Sequence, residues 1–187
     1  MHVGLTRRAL KAQTDALCAA LRHFPWLNRL SSRYGAATLE LWGHGDLAHS
    51  VHHMYSGDLL VLIGSPAQDI SWLRVLECMS STSGPEDFEL PWDGRVILLR
   101  LSPDGKDWAM WNDFCGSIPV FHAQIGEGRI ASTLEPVVVA AAGYTPNDIF
   151  PPSLVSLLIN GQYLGEWTLF RDMRVVHSDC VAEWHDE

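Results

Sequence analysis

Positive charge is scarce in this chain. Thirteen lysines and arginines stand against 22 aspartates and glutamates, a formal charge of −9, so the net field repels polyanions and argues against nucleic acid as a partner. Long apolar runs are missing too. No uninterrupted stretch approaches the roughly 20 residues a membrane-spanning helix needs. Near the start, Lys11, Gln13 and Asp15 interrupt what would otherwise read as the apolar region of a secretory signal behind Arg7 and Arg8. Cysteine is sparse and scattered. Cys18, Cys78, Cys115 and Cys180 form no Cys-x-x-Cys pair, which argues against a zinc ribbon or a redox dithiol and for reduced thiols. These absences lead to the expectation of a cytoplasmic protein with no membrane or nucleic-acid partner. They imply no cofactor and no metal.

What is present suits one compact domain over residues 1–187: 47% of the residues are hydrophobic, enough for a substantial core at this length. Leu10, Leu17, Ala20, Leu21 and Phe24 recur at helical spacing from Thr6 to about Phe24, where Pro25 ends the run. Strands are expected at Ala36 to Trp42 and Leu59 to Ile63, the second entered through the turn Ser56-Gly57-Asp58. Asp69 is placed to cap a helix to about Met79, with Ile70, Leu73, Leu76 and Met79 on one face. Arg95 to Leu101, Trp108 to Trp111 and Ile118 to His122 read as an antiparallel meander, joined by Pro103-Asp104-Gly105 and Cys115-Gly116. Thr133 is placed to cap a helix from Leu134 to Ala142. Pro151-Pro152 opens another from Ser153 to about Ile159, closed by Asn160-Gly161. Met173 to Val176 and Cys180 to Trp184 read as a final hairpin. Strand runs with peripheral helices, and no βαβ repeat, predict an α+β layer fold.

Several residues from Trp92 to about Trp184 fall in a recognisable order. Gly94 precedes the hydrophobic strand Val96-Ile97-Leu98-Leu99. Asp113, Gly116, Pro119, Val120 and Phe121 form Asp-x-x-Gly-x-x-Pro followed by an aliphatic and an aromatic residue. Arg129-Ile130-Ala131-Ser132 leads into a helix, and Leu157-Leu158, Gly161 and Thr168-Leu169-Phe170 follow at fixed distances. In this order and spacing the segment resembles the latter part of the class II glutamine amidotransferase domain of asparagine synthetases. The resemblance implies an Ntn-hydrolase-like αββα sandwich with antiparallel sheets. Asp113, Gly116, Pro119, Ser132, Gly161 and Thr168 are then framework residues: a turn-opening carboxylate, glycines at positive φ and a proline that fixes a strand entry.

The chemistry that the resemblance implies is not matched. Enzymes of that family attack glutamine with the side chain of their first residue, using its own α-amino group as base. Here position two is His2, and a helical segment is expected where the family has its nucleophile-bearing first strand. Ile63-Gly64 stands where the family has an oxyanion-stabilising Asn-Gly pair. The stretch His49 to Met54 offers no arginine for a glutamine carboxylate. Asn112 and His177-Ser178-Asp179 depart from the family's arginine and Pro-Pro-Gly. No catalytic residue is assigned, and Gly64, Asp93 and Gly94 are the remnants expected to line the old pocket.

Three further groups carry residue types suited to chemistry or contact. His44, His49, His52 and His53, with Asp46, are the densest set of metal-ligand types, but their spacing matches no helix-borne zinc motif and reads as an exposed loop and strand edge. Cys115 with His122 lacks an orienting partner and reads as a turn cysteine. Of eight tryptophans, Trp92, Trp108, Trp111, Trp167 and Trp184 crowd the second half and read as core residues, an exposed patch among them being a partner surface.

Three functions stay open. One is a non-catalytic amidotransferase-like domain that supports an ATP-dependent amide-forming synthetase of the asparagine synthetase, β-lactam synthetase or lasso-peptide cyclase type, in cis or in trans. The others are a stand-alone binder of a small molecule or peptide in the old pocket, and a hydrolase with an unrecognised nucleophile. The sequence contains no Ser-Gly-Gly-x-Asp-Ser pyrophosphate loop, so ATP chemistry falls to a partner domain or protein. Self-association is a further open possibility.

Overall fold

Along the chain the elements are β1 (His2–Gly4), β2 (Leu27–Tyr34), β3 (Ala37–His44), β4 (His49–His53), β5 (Leu59–Pro66), α1 (Trp72–Ser81), β6 (Gly94–Leu101), β7 (Asp107–Asn112), β8 (Phe121–Ile125), β9 (Gly128–Ser132), α2 (Glu135–Ala142), α3 (Pro151–Asn160), β10 (Met173–Val175) and β11 (Val181–His185). The computed structural model describes residues 2–4, 27–44, 49–67, 71–81, 84, 87–90, 93–126, 128–178 and 180–185, with the backbone alone for 2–4, 27–33, 42–44 and 49. The fold is mixed α+β, and its strand pairs are antiparallel. The helix expected from Thr6 to Phe24 lies outside the described residues.

The chain forms two compact units, and each holds one sheet. Residues Leu47–Ile118 and His177–Glu187 carry five strands in the order β11-β7-β6-β5-β4. The unbroken apolar runs of β5 and β6 place them centrally, since a strand buried on both faces has no polar alternation to keep. Leu60, Leu62, Val96, Leu98, Ala109 and Trp111 project to one face, where Val75 and Met79 of α1 and the Phe88 ring pack on them. The helix thus buries Val75 and Met79, with Trp72, Leu76 and Cys78 at the margin. Leu73, expected on that face, is 74% exposed.

Residues Met1–Asp46 and Pro119–Val176 carry six strands in the order β10-β8-β9-β1-β3-β2. Val137, Val138 and Ala141 of α2 pack on Ala123, Ile130 and Met173 of this sheet. Helix α2 begins at Leu134 without a side-chain cap, and the hydroxyl of Ser132, not Thr133, accepts the Leu134 N–H at 3.0 Å. It ends on Gly143, whose φ of 70° lets the chain turn back on Val139 and Ala140 carbonyls.

Two expectations about pairing are corrected. The third strand of the supposed meander is Phe121–Ile125, and it pairs with β9 and β10 in the six-stranded sheet, not with β7. The supposed final hairpin divides: β10 joins β8, while β11 joins β7. The start of the chain is a strand, β1, seated between β3 and β9 with His2 opposite Glu40 and Ser132. Each error concerns a partner far away in sequence, which local pattern does not specify.

Candidate functional site

Four residues singled out from sequence meet around one backbone crossing. In the β5–β6 ladder Gly64 faces Val96, Ser65 faces Arg95 and Pro66 faces Gly94. Gly64 has φ +110° and Gly94 φ +134°, and a Cβ on Gly64 would stand 1.9 Å from the Arg95 carbonyl oxygen, so the strands approach too closely for any side chain. The Ala67 N–H donates to the Asp93 carbonyl at 2.8 Å and continues the ladder past the glycines.

Asp113 completes this corner from the end of β7. Its carboxylate accepts the N–H groups of Val96 (3.2 Å), Cys115 (2.9 Å) and Ser117 (3.0 Å), and its carbonyl accepts the Gly116 N–H (2.9 Å). Gly116 has φ +59°, and Arg95 reaches the Ser117 carbonyl at 3.4 Å. The corner is built from backbone and a saturated carboxylate. Apart from the exposed thiol of Cys115 on the turn, it works as scaffold.

The remaining framework residues lie elsewhere. Pro119 is exposed, Ser132 serves the start of α2, and Gly161 closes α3 at φ 71°. The buried Thr168 hydroxyl lies 3.0 Å from the Met173 carbonyl and 3.3 Å from the Phe170 N–H, pinning the loop before β10.

Gly64, Asp93 and Gly94 line neither of the two clefts described here. The first, about 450 Å³, belongs to the five-stranded unit. Its charged wall is Asp58, buried, whose Oδ2 receives both Nε and Nη2 of Arg100 at 2.8 Å. Across it, His185 stands opposite Asp107 in the β7–β11 ladder, with Nδ1 3.1 Å from Asp107 Oδ1 and Nε2 3.5 Å from Glu183 Oε2. Trp108 also lines the cleft and is stacked on Trp184 with ring centres 3.9 Å apart. The Ser102 hydroxyl is taken up in its own turn, 2.6 Å from the Asp104 carboxylate and accepting the Asp107 N–H at 2.9 Å. The arrangement can bind polar groups of either charge, but it presents no activated nucleophile.

The second cleft, about 550 Å³, belongs to the six-stranded unit and is walled by Pro136, Val139, Tyr144, Leu169 and Phe170. Tyr144 stacks on Phe170 at 5.0 Å, and its buried hydroxyl makes no hydrogen bond. Burial, with Asp172 and Asp148 nearby, pushes its ionisation up to about 12. Burial also raises the Glu135 carboxyl.

Sequence reading missed the Asp58–Arg100 pair and the Asp107–His185–Glu183 row. Arg100 did carry a signal, as a lone charge in the apolar strand Val96–Leu101, which calls for a partner. That the partner is Asp58 is a matter of the β5–β6 register.

The histidine and cysteine constellations resolve as follows. His52 is half-buried against Trp72, ring centres 3.7 Å apart, and burial lowers its pKa, while His53 is exposed. Asp46 and the side chains of His44 and His49 lie outside the described residues. Among the described residues no three histidines, cysteines or acids gather as for a metal. Cys115 is exposed on the Asp113 turn, and His122 sits on β8 opposite Arg174 and Ala131. Among the described residues no helix is long and apolar enough to cross a membrane. Comparison with protein-family models and with curated proteins finds no match for this chain.

Proposed function

We propose that the chain is a non-catalytic amidotransferase-like domain of the asparagine synthetase type, working in the cytoplasm in support of an ATP-dependent amide-forming synthetase. The observation that carries the reading is strand β1. It takes an interior place in the six-stranded sheet, hydrogen-bonded on both edges, and its residues His2, Val3 and Gly4 include no thiol or hydroxyl. A strand retained in the sheet without a nucleophile suits a domain kept for its shape.

Other features agree with the resemblance. The Asp113 turn, the positive-φ glycines at 116 and 161 and the Thr168 pin suit the framework roles that the resemblance implies. Two antiparallel sheets bearing helices suit an Ntn-hydrolase-like αββα sandwich.

The test has two arms. Purified protein given glutamine is expected to release no ammonia above the buffer rate, and isolation from its own cells is expected to recover an adenylating synthetase. Glutamine turnover that disappears in Cys115→Ala would overturn the non-catalytic reading. Recovery without any synthetase would remove the support role. The Asp58–Arg100 cleft favours a second reading, a binder of a polar small molecule. That reading predicts ligand binding lost in Arg100→Met.

A further inference from the structure

The cleft of the five-stranded unit lies on the sheet face that α1 only partly covers. Leu98 and Ala109 pack with Met79 on that face, and Met79, near the end of α1, also lines the cleft. Side chains alternate along a strand, so Arg100, two residues beyond Leu98, projects the same way. The register then sets one row across three strands: Arg100 on β6 faces Ala109 on β7, and Ala109 faces Glu183 on β11. Directly opposed residues share a face, so a guanidinium and a carboxylate flank a methyl group. Their Cα atoms are separated by two strand spacings, about 10 Å. The two charges do not pair with one another. Arg100 turns to Asp58, and Glu183 to His185.

Asp58 decides what Arg100 has left to offer. Its Oδ2 takes Nε and Nη2, which form one edge of the guanidinium fork. The Nη1–Nη2 edge keeps parallel donors for a second carboxylate. At the other end of the row, Glu183 and Asp107 each turn one oxygen to His185 and retain another. Around the cleft Asp58, Asp107 and Glu183 outnumber Arg100 and His185, even with both of these counted as cations.

This arrangement selects among occupants by charge. A lone anion suited to Arg100 would enter a cleft with an excess of acids. A lone cation suited to Glu183 would face the open edge of the guanidinium, like charge toward like. A metal ion finds no set of three ligands among the described residues. A molecule that carries both charges answers both ends, and a cleft of about 450 Å³ requires them to be close together. In an α-amino acid one carbon separates ammonium from carboxylate. With a charge-assisted hydrogen bond at each end the span is about 8 Å, which fits the ~10 Å row. Met79 supplies an apolar wall for the ligand's own side chain.

We propose that this cleft binds a free α-amino acid, its carboxylate on the Nη1–Nη2 edge of Arg100 and its ammonium on Glu183, above the methyl of Ala109. The inference rests on the reading of the cleft as a polar small-molecule site and adds the class of ligand.

The test is NMR titration of the full chain with each standard L-amino acid, and then with the α-amide and the N-acetyl derivative of the best binder. The free amino acid is expected to bind about tenfold or more tightly than either derivative, each of which lacks one charged hydrogen bond. Glu183→Gln should weaken the free amino acid and leave the N-acetyl form unchanged, since that form has no ammonium to lose. Arg100→Lys keeps a cation beside Asp58 without the second edge, and it should weaken the free amino acid while leaving the α-amide unchanged. A merely structural role for either residue would weaken all ligands alike, and that pattern overturns the assignment. A derivative that binds wild type as tightly as the free amino acid also overturns it, reducing the cleft to a site for a single charge and leaving the broader polar-ligand reading intact. If no amino acid binds, the proposal falls. Propylammonium, propionate and glycerol then decide the broader reading, which survives if any of them binds and falls if none does.

Discussion

The Asp113 carboxylate accepts the backbone N–H of Val96 at 3.2 Å, and Val96 is the residue facing Gly64 across the β5–β6 ladder. One side chain on the β7 end therefore holds the strand that a glycine on β5 must meet without a Cβ. The turn motif and the glycine pair are two sides of one joint.

Breaking the carboxylate side should be costly. Asp113→Ala leaves the N–H groups of Val96, Cys115 and Ser117 without this acceptor, and Val96 is fully buried. The expected loss is about 2–4 kcal/mol in urea unfolding, since several hydrogen bonds to a charged group go together. Asp113→Asn, which keeps one acceptor oxygen, should lose less. Equal losses for the two variants would show that the charge and second oxygen contribute nothing.

Breaking the glycine side should cost as much by a different cause. Gly64→Ala sets a methyl 1.9 Å from the Arg95 carbonyl at a φ that disfavours side chains, so the ladder itself must part. Gly161→Ala serves as a control, because its positive φ is similar in sign but nothing lies within 4 Å of the added carbon. The control should lose about 1 kcal/mol, the cost of left-handed backbone alone, and Gly64→Ala several times that. Matching thermal midpoints for the two proteins would contradict the close approach.

The Asp58–Arg100 pair should respond asymmetrically. Asp58 is 8% exposed in its side chain and Arg100 37%, so removing the arginine strands a buried carboxylate, while removing the acid leaves a guanidinium that can turn to water. Arg100→Met is expected to destabilise by roughly 2 kcal/mol and Asp58→Ala by about half that, the half-exposed partner being screened. Equal or reversed values from denaturant titration would argue against this picture.

His122 should make stability depend on pH. Burial first, then Arg129 and Arg174, lower its pKa from 6.5 to about 4. Below about pH 6.5 the unfolded chain takes up a proton here that the folded protein refuses until about pH 4. Stability is therefore lost as pH falls through that window and regained as it rises. The contribution is at most about 3 kcal/mol. His122→Leu should flatten that part of the pH profile relative to wild type, and parallel profiles from about pH 4.5 to about pH 7 would exclude the effect.

Much of the fold is legible locally. The Leu59 and Val96 runs, the Pro103-Asp104-Gly105 turn, the double proline opening α3 and the glycine closing α3 all stand where pattern and turn chemistry put them. Strand β2 has no signal of its own, because Leu-Asn-Arg-Leu-Ser-Ser-Arg-Tyr alternates weakly and owes its strand state to β3 beside it, while the histidines read as a loop and strand edge fall in part on the edge strand β4. The candidate cleft was less legible still. Its charged residues come from β5, β6, β7 and β11 or their ends, more than 120 positions apart at the extremes, and meet through register alone.

By itself the sequence determined which residues extend, which turn and where a side chain is forbidden, since these follow from sterics and from hydrogen bonds within a few residues. The tertiary structure alone decided that β8 leaves its neighbour β7 for another sheet, that Arg100 meets Asp58 and that α3 shows its leucine and isoleucine to solvent. Those outcomes depend on which distant surfaces compete for the same apolar area and the same unpaired backbone groups, and that competition is settled only when the whole chain is packed.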